Sequence, residues 1–176
     1  SEASPVETVT WFECDELFRR NGCALPTEAQ WEWACRAGTR TPWSSGPDIA
    51  SLQGCANVFD QSTIGQFEGD PVPWNDTYRI HAPVGRFRAS AFGLHDMHGN
   101  VWEWCQDRFA SYGDAAFGPG ASDGLRGAPV DDNRRMVRGG SYMDGPRKAR
   151  SAFRYAADPS LKNYIIGARP ARLLTH

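Results

Sequence analysis

The stretch Gly-Asn-Val-Trp-Glu-Trp-Cys-Gln at residues 99–106 contains a strand candidate on which the rest of the fold can be built. Within it, Val101–Cys105 is short and aromatic, and it follows a Gly-Asn pair that is typical of a turn. Further short candidates, each separated from the next by turn-rich sequence, lie at Val84–Phe87, Met136–Gly139, Ala149–Tyr155 and Ile165–Arg169. Together these segments predict a small antiparallel sheet.

Two helices are predicted in the first part of the chain from their amino-terminal caps. Thr10 and Glu13 have the spacing of a capping box, and apolar residues then recur at helical intervals until a glycine stops the pattern. Thr27 and Gln30 repeat this arrangement before a second segment that ends at Gly38. Both helices should turn an apolar face towards the sheet.

Long loops occupy much of the remaining chain. Residues 39–83 are too aromatic for disorder and too long for a simple connection, and residues 109–133 have the composition of a surface loop between two strands. An ordered loop must satisfy its backbone without helix or sheet ladders, and bound cations are one common means. We therefore expect an α+β domain with two helices packed on a small sheet and long ordered loops.

The composition fits a single domain that spans residues 1–176. With 40% hydrophobic residues, 7 Trp and 18 Gly, the chain should be globular and rich in turns and aromatic packing. The formal net charge of -2 gives no electrostatic reason to expect nucleic acid as a partner. No apolar run reaches the roughly 18 residues that cross a bilayer, so direct membrane insertion is not expected.

The cysteines are expected to be mostly buried thiols that behave as small hydrophobic residues. They number five, contain no CxxC pair, and are Cys14, Cys23, Cys35, Cys55 and Cys105. Because the spacing supports no particular pairing, a disulfide between any two of them stays open.

Several segments, in a matching order, resemble the formylglycine-generating-enzyme or sulfatase-modifying-factor family. They include LPTEAQWEWACRAGT at 25–39, AFGLHDMHGNVWEWCQDRF at 91–109, VRGGSY at 137–142, and RSAFR at 150–154 leading to IGAR at 166–169. The resemblance runs from Pro5 to Arg172, and this combination of motifs is highly specific. It implies an irregular version of the C-type lectin fold, which agrees with the two helices, small sheet and long loops predicted above.

The resemblance also implies a catalytic centre that this sequence does not reproduce. The enzymes of the family oxidise a substrate cysteine with a copper ion that two cysteines hold after the Gly-Gly-Ser motif. Here residues 140–169 contain no cysteine, and Asp144 stands where the first one is expected. None of residues 147–149 can supply the second soft ligand that copper(I) prefers, so no copper is expected.

A related branch of the family uses a non-haem iron held by histidines. His95 and His98 form an HxxH pair, but no acidic third ligand occurs in a recognisable motif and the separate helical domain of that branch is missing. No iron is therefore expected, and these histidines should be ordinary polar positions near the sheet.

Ser141 lies in Gly-Gly-Ser and not in a GxSxG motif, which favours a packing or turn role over a nucleophile.

The resemblance further implies structural calcium at two places. The first set of ligands would be the Asn57 side chain, the Val58 carbonyl, the Asp76 carboxylate and the Tyr78 carbonyl. The second set would be Asp96, the carbonyls of Gly99 and Val101, and Glu103. Such mixed hard oxygen ligands suit calcium. The alternative that remains open is that these side chains cap turns without any ion.

Residues 140–168, approximately, are similar to the hypervariable carboxy terminus of the variable proteins of diversity-generating retroelements, which is rewritten at adenines. Between the Gly-Gly-Ser and Ile-Gly-Ala-Arg motifs the sequence follows neither a helical nor a strand period. The resemblance implies a ligand-binding surface made of Tyr142, Met143, Asp144, Gly145, Arg147, Lys148, Phe153, Tyr155, Ala157, Asp158, Leu161, Asn163, Tyr164 and Ile165. Adenine changes in asparagine codons produce most of these residue types, but not methionine or lysine. For Phe153 and Tyr155, packing within the sheet remains the alternative.

These observations favour a non-catalytic protein that displays a diversified surface to a protein or another macromolecular ligand. One alternative is an oxidoreductase of the formylglycine-generating or iron-dependent type, and another is an inactive regulatory relative that pairs with an active one. The amino terminus has no signal-peptide core. A place at the cell surface, outside the cell or on a virion is favoured, with any signal missing from this chain, and the oligomeric state stays open.

Overall fold

Two helices and a four-stranded sheet make up the regular part of the fold. The computed structural model describes residues 3–63, 65–67, 70–111 and 132–172. The elements are α1 (Trp11–Arg20), α2 (Glu28–Arg36), β1 (Trp102–Arg108), β2 (Arg135–Arg138), β3 (Tyr155–Ala157) and β4 (Ile166–Gly167). Short 3-10 helices lie at Ile49–Leu52 and Gln61–Thr63. The α+β class predicted from the sequence is therefore confirmed.

Both helices begin at the predicted capping boxes. The Thr10 hydroxyl accepts from the Glu13 amide, and the Glu13 carboxylate accepts in return from the Thr10 amide. Thr27 and Gln30 make the same reciprocal pair at the start of α2. These bonds satisfy backbone donors that the first helical turn would otherwise leave without partners. Each helix then buries a tryptophan and a cysteine against the sheet.

The sheet is mixed, so the prediction of a wholly antiparallel sheet is wrong. The strand order is β3-β2-β1-β4, with β2 antiparallel to both β1 and β3. β4 instead runs parallel to β1, with Trp102 opposite Ile166. A parallel neighbour requires a crossover connection, and residues 158–165 provide one from β3 at one edge to β4 at the other.

Two of the predicted strands are not formed as expected. Val84–Phe87 is a turn, in which Gly85 has a φ of 75° and the Arg86 amide bonds back to the Pro83 carbonyl. Ala149–Tyr155 consists mainly of turns, and only its last residue belongs to β3. Alternation of apolar residues does not distinguish a strand from a chain of turns when the backbone amides bond locally. The predicted loop at 109–133 lies largely outside the described residues.

Three apolar clusters form the core. One joins α1 to the sheet and contains Trp11, Cys14, Leu25, Trp102, Trp104, Val137, Ala157 and Ile166. Another holds the irregular region together through Trp43, Leu52, Ala56, Val58, Val72, Trp74 and Ala149. The third lies between α2 and the sheet and contains Trp31, Cys35, Met97, Cys105 and Met136. The long loops therefore have a core of their own, which explains how they stay ordered without ladders.

The cysteines are all free thiols, as most were expected to be. Burial raises the pKa of Cys14 to about 11 and that of Cys35 to about 12, so both remain protonated near neutral pH.

Within the described ranges no helix is both long and apolar enough to cross a bilayer.

Candidate functional site

The turn that follows the Gly-Gly-Ser motif brings the candidate site together. Gly139 and Gly140 have φ angles of 99° and 77°, which residues with a side chain rarely adopt. A Cβ on Gly140 would lie 3.1 Å from the backbone nitrogen of Ala149, so glycine lets the two ends of the turn approach closely. After this turn the side chains of Ser141, Tyr142 and Asp144 are buried, while Met143 is partly buried.

Asp144 is the centre of a hydrogen-bonded network in this turn. Its Oδ2 accepts from the Trp102 indole N–H at 2.8 Å and from the Ser141 hydroxyl at 2.6 Å, as well as from the Ser141 amide at 3.1 Å. Its Oδ1 accepts from the Lys148 ammonium at 2.7 Å. Only 9% of Asp144 is exposed. Ser141 thus orients a carboxylate, in agreement with its predicted turn role.

Aromatic rings line both sides of this network. Trp102, which is 3% exposed, contacts Tyr155 with ring centroids 5.5 Å apart and Phe153 at 6.0 Å. On the other side Tyr142 packs between the rings of Phe67 and His81, at 6.1 and 6.4 Å. Burial raises the pKa of Tyr142 to about 12, so its phenol stays neutral near pH 7.

The predicted ligand-binding residues separate into an exposed and a buried group. Solvent reaches Arg147, Lys148, Tyr155, Asp158, Leu161 and Tyr164, while Met143, Gly145, Phe153, Asn163 and Ile165 are partly buried. Tyr142, Asp144 and Ala157, which the resemblance also assigned to this surface, are buried, with 3%, 9% and 6% of each residue exposed. The glycine-directed turn takes the first two inward. Ala157 belongs to β3, where it packs into the core.

The loop between β3 and β4 is held against the start of α1. The Trp11 amide donates to the Pro159 carbonyl at 3.0 Å, and the Thr8 amide donates to the Asn163 carbonyl at 3.1 Å. The Lys162 ammonium bonds to Glu13 at 2.7 Å, and this contact is the largest cause that lowers the pKa of that carboxyl to about 2. The loop that carries Leu161 and Tyr164 is therefore pinned at three points.

Asp76 and Tyr78, two members of the first predicted calcium set, lie together in the irregular region, where the Tyr78 carbonyl accepts from the Ser62 hydroxyl at 2.7 Å. Asp76 Oδ1 accepts from the Tyr78 amide at 2.8 Å, but within the described ranges its buried Oδ2 has no hydrogen-bond partner. Burial, with the nearby Asp60 carboxylate as a further cause, raises the pKa of Asp76 to about 7. A buried carboxylate oxygen without a partner beside a second carboxylate is an arrangement that a divalent cation would satisfy. Sequence reasoning missed Asp60, whose Oδ2 accepts from the Asp76 amide at 2.6 Å.

The remaining members of that set come from the segment before the 3-10 helix at Gln61–Thr63. Asn57 is buried, and its amide nitrogen donates to the Ile80 carbonyl at 3.0 Å and to Asn100 Oδ1 at 3.2 Å. These bonds use the nitrogen and leave the side-chain oxygen as the potential ligand. Val58 is buried in the adjoining apolar cluster. The donor types are thus compatible with calcium.

The second predicted calcium set has a different character. Asp96 Oδ1 is buried without a hydrogen-bond partner among the described residues, and burial raises the pKa of Asp96. Glu103, however, accepts from Arg169 at 2.7 Å and from the Trp31 indole at 2.7 Å. A guanidinium therefore already neutralises the carboxylate that the second set requires. Gly99 and Val101, whose carbonyls complete this predicted set, flank Asn100 in the chain. A pocket of about 530 Å³ opens beside Asp96 and Glu103.

The histidines do not form a metal centre in the part of the chain that is described. His98 is buried, where its Nε2 accepts from the Ser44 amide at 3.0 Å and its Nδ1 lies 2.7 Å from the Ala149 carbonyl. Burial lowers the pKa of His98, so the neutral ring serves as a bridge between loops. His95 Nδ1 lies 2.7 Å from the Phe87 carbonyl. Among described residues no three His, Cys, Asp or Glu side chains are placed to share an ion.

This chain is similar to a curated enzyme and to two solved structures of the same fold. A relative, the formylglycine-generating enzyme of Thermomonospora curvata, is 32% identical over 142 residues, which are 79% of this chain and 45% of that protein. The solved structure of PvdO from Pseudomonas aeruginosa matches 98% of this chain and 63% of its own with a TM-score of 0.77 and 29% identity. Treponema denticola variable protein 1 matches 96% of this chain and 70% of its own with a TM-score of 0.74 and 22% identity. The last likeness concerns the fold alone.

The family model assigns the chain. It is described as the sulfatase-modifying factor enzyme 1-like domain, and it matches residues 1–174. The chain spans less than half the length of the curated enzyme that it matches. Since the motifs, the fold and this model agree over almost every residue, the chain belongs to the sulfatase-modifying factor enzyme 1-like family, in the C-type lectin-like fold that some variable proteins share.

Proposed function

We propose that this chain is a non-catalytic binding module of its family, and that a macromolecular ligand lies against the surface formed by Lys148, Tyr155, Leu161 and Tyr164. One observation carries the proposal. Where the resembled enzymes place a copper-binding cysteine, this chain has Asp144 in a network with Ser141 and Trp102 that already satisfies one of its two oxygens.

The residue types at this place argue against the copper chemistry of the enzymes. Asp144 is a hard oxygen donor, and Ala149, at the far end of the turn, is fully buried and has no donor atom in its side chain. A copper(I) ion that must activate oxygen and a thiol needs soft ligands. The side chains of Asp144 and Ala149 do not supply such ligands.

The exposed residues around the turn favour binding. Tyr155 and Tyr164 are 54% and 56% exposed, and Leu161 is 39% exposed. Exposed aromatic side chains on an ordered backbone bring large contact area at a small cost in conformational entropy. The contacts from Thr8, Trp11 and Glu13 hold the loop in place, so little ordering would remain for a ligand to impose.

A structural role for calcium belongs to the same proposal. At the first set of ligands, an ion would be held by Asp76, the Asn57 side chain and the carbonyls of Val58 and Tyr78, with Asp60 beside them. The Phe59 amide donates to the Asp144 carbonyl at 3.0 Å, so the loop that would hold the ion also supports the candidate site. For the second set we propose at most weaker binding, because Arg169 competes for Glu103.

Two assays test the absence of catalysis and the presence of binding. Supplied with copper, the protein should oxidise a sulfatase-type cysteine peptide no faster than copper alone, and turnover above that control would contradict the proposal. In the second assay, a phage library of random peptides is selected on the immobilised protein. Selected peptides should lose binding to a Tyr155→Ser/Tyr164→Ser double variant.

A second pair of exposed aromatic residues provides a matched control. Trp33 and Phe92 are 68% and 44% exposed, with ring centroids 4.8 Å apart and ring planes tilted by 43°, and no described ring contact joins them to Tyr155 or Tyr164. The selected peptides should still bind a Trp33→Ser/Phe92→Ser variant. Equal loss of peptide binding in both double variants would indicate nonspecific adsorption to exposed aromatic rings. It would remove the support for a dedicated binding surface.

The retroelement origin of this surface is a finer part of the proposal, and the coding DNA tests it. A near-identical template repeat should lie nearby and should differ from the codons of residues 140–168 at adenines only. Differences spread over all four bases would leave a binding module whose surface was not diversified in this way.

A further inference from the structure

The two oxygens of the Asp144 carboxylate have very different surroundings. Oδ2 points inward and accepts three hydrogen bonds, from the Trp102 indole, the Ser141 hydroxyl and the Ser141 amide. Oδ1 accepts from the Lys148 ammonium, whose side chain is 53% exposed. The carboxylate is therefore held rigidly from within and is reached from solvent only through a flexible side chain.

We propose that Asp144 is the binding point for a cationic group of the ligand, a primary ammonium or a guanidinium such as a lysine or arginine side chain, and that Lys148 occupies this point as an internal competitor. This inference rests on the binding function proposed above and names the chemistry that the site would recognise.

The energetics of the Asp144–Lys148 pair allow such an exchange. The pair spans an i,i+4 separation and only its lysine is half exposed, so water screens the ammonium and the lysine loses rotamer freedom in the pair, both of which reduce the net stabilisation. The carboxylate itself is almost buried, so leaving Oδ1 without any cation is unfavourable. A ligand cation that replaces the lysine keeps the charge paired while it releases the lysine side chain to solvent.

The rings beside Asp144 suit the rest of such a ligand. The indole N–H of Trp102 points at Asp144, and the exposed ring of Tyr155 packs on the same indole. An aliphatic lysine stem or a planar guanidinium can lie against an exposed tyrosine ring while its charged end reaches a carboxylate. The apolar part and the charged part of one side chain would therefore both find partners.

The neighbouring charges provide a matched control. Arg150 is also exposed, follows the same turn and is not among the predicted ligand-binding residues; its guanidinium donates to the Arg147 carbonyl, and no described contact joins it to Asp144. Lys148→Met and Arg150→Met each remove one positive charge from this region of the surface. Only the first of these variants releases Oδ1.

The experiment titrates each protein with Nα-acetyl-lysine methylamide, with the arginine analogue, and with the norleucine analogue as the uncharged probe, followed by NMR. Lys148→Met should strengthen binding of the two cationic probes by about tenfold, as expected when an internal competitor is removed, whereas Arg150→Met should change it by less than about twofold. The norleucine probe should not discriminate between the proteins. Adding Asp144→Asn to Lys148→Met should abolish the gain.

Two results would overturn the inference. Equal strengthening in the Lys148 and Arg150 variants would mean that net charge alone is responsible, and no strengthening in Lys148→Met would mean that Asp144 is not a cation site. Asp144→Asn retains an oxygen for the inward hydrogen bonds, and its melting curve verifies that it is folded.

If the phage-selected peptides bind at Tyr155 and Tyr164 but are not rich in lysine or arginine, this inference fails while the binding function stands. If no peptide is selected but the amine titration behaves as described, the binding function fails and the cation site stands.

Discussion

The turn at residues 141–149 and the region at residues 155–164, which comprises β3 and the loop after it, belong to one segment of irregular sequence, yet the protein uses them differently. The turn sends Tyr142 and Asp144 into the interior, where they are 3% and 9% exposed. In the region at residues 155–164, Tyr155 and Tyr164 are more than half exposed. A tyrosine in such a segment can thus be either an interior packing residue or a contact residue. Its backbone position decides which, because the residue type is the same.

Trp102 connects the two regions, so its removal should have the largest effect. It bonds to Asp144 in the turn and packs on Tyr155 and Phe153 at the start of the loop. Trp102→Ala should lower the free energy of unfolding by about 3 to 5 kcal/mol, through the cavity and the lost hydrogen bond. Urea denaturation of this variant beside Trp33→Ala, at a 68% exposed position, provides the comparison. Similar stability of the two variants would mean that Trp102 does not support the site.

Within the turn, Tyr142→Ala should lower the free energy of unfolding by about 3 kcal/mol, because the ring is buried against Phe67 and His81. Tyr164→Ala in the loop is the matched change, with the same atoms removed from a 56% exposed position. Chemical denaturation of both variants measures the contrast directly. A loss of equal size would contradict the division of the segment into an inward and an outward part.

Calcium should act on the turn more than on the loop. A chelator should lower the melting temperature, since an ion that binds only the folded state at 100 times its dissociation constant stabilises it by about 2.7 kcal/mol. Hydrogen exchange at the Phe59 amide, which bonds to the Asp144 carbonyl, should accelerate on chelation. The amides that pair β2 with β3 should be much less affected. In the Asp76→Asn variant the chelator should lower the melting temperature little further. A melting temperature that changes neither with calcium nor with this substitution would count against the site.

The smallest effect on stability is expected for the exposed residues of the loop. Tyr155→Ser, Leu161→Ser and Tyr164→Ser should each change the free energy of unfolding by less than about 0.5 kcal/mol. Binding of selected peptides should nevertheless be lost, because these side chains supply the contact area. Thermal melts of the triple variant, run beside the peptide assay, separate the two effects. Unfolding of the triple variant would show that the loop is part of the scaffold.

Local signals in the sequence were sufficient for much of the fold. The capping boxes at Thr10 and Thr27 located both helices, since a cap depends on residues only three positions apart. The aromatic stretch at 101–105 predicted the central strand β1, and the segment at 136–139 predicted β2. The resemblance indicated the family and the missing cysteines. Of the candidate calcium set, Asp60 was missed because its approach to Asp76 spans a loop whose path has no local signal.

The sequence by itself determined the helix caps, the central strand, the family and the lack of soft copper ligands, because each of these depends on residue type or on short spacing. Only the tertiary structure decided that β4 joins the sheet in parallel and that Val84–Phe87 is a turn. It also decided which tyrosines of the carboxy-terminal segment face solvent. Burial of Tyr142 and Asp144 depends on Phe67 and Trp102, which lie far away in the sequence, and on the positive φ angles of the paired glycines at the start of the turn.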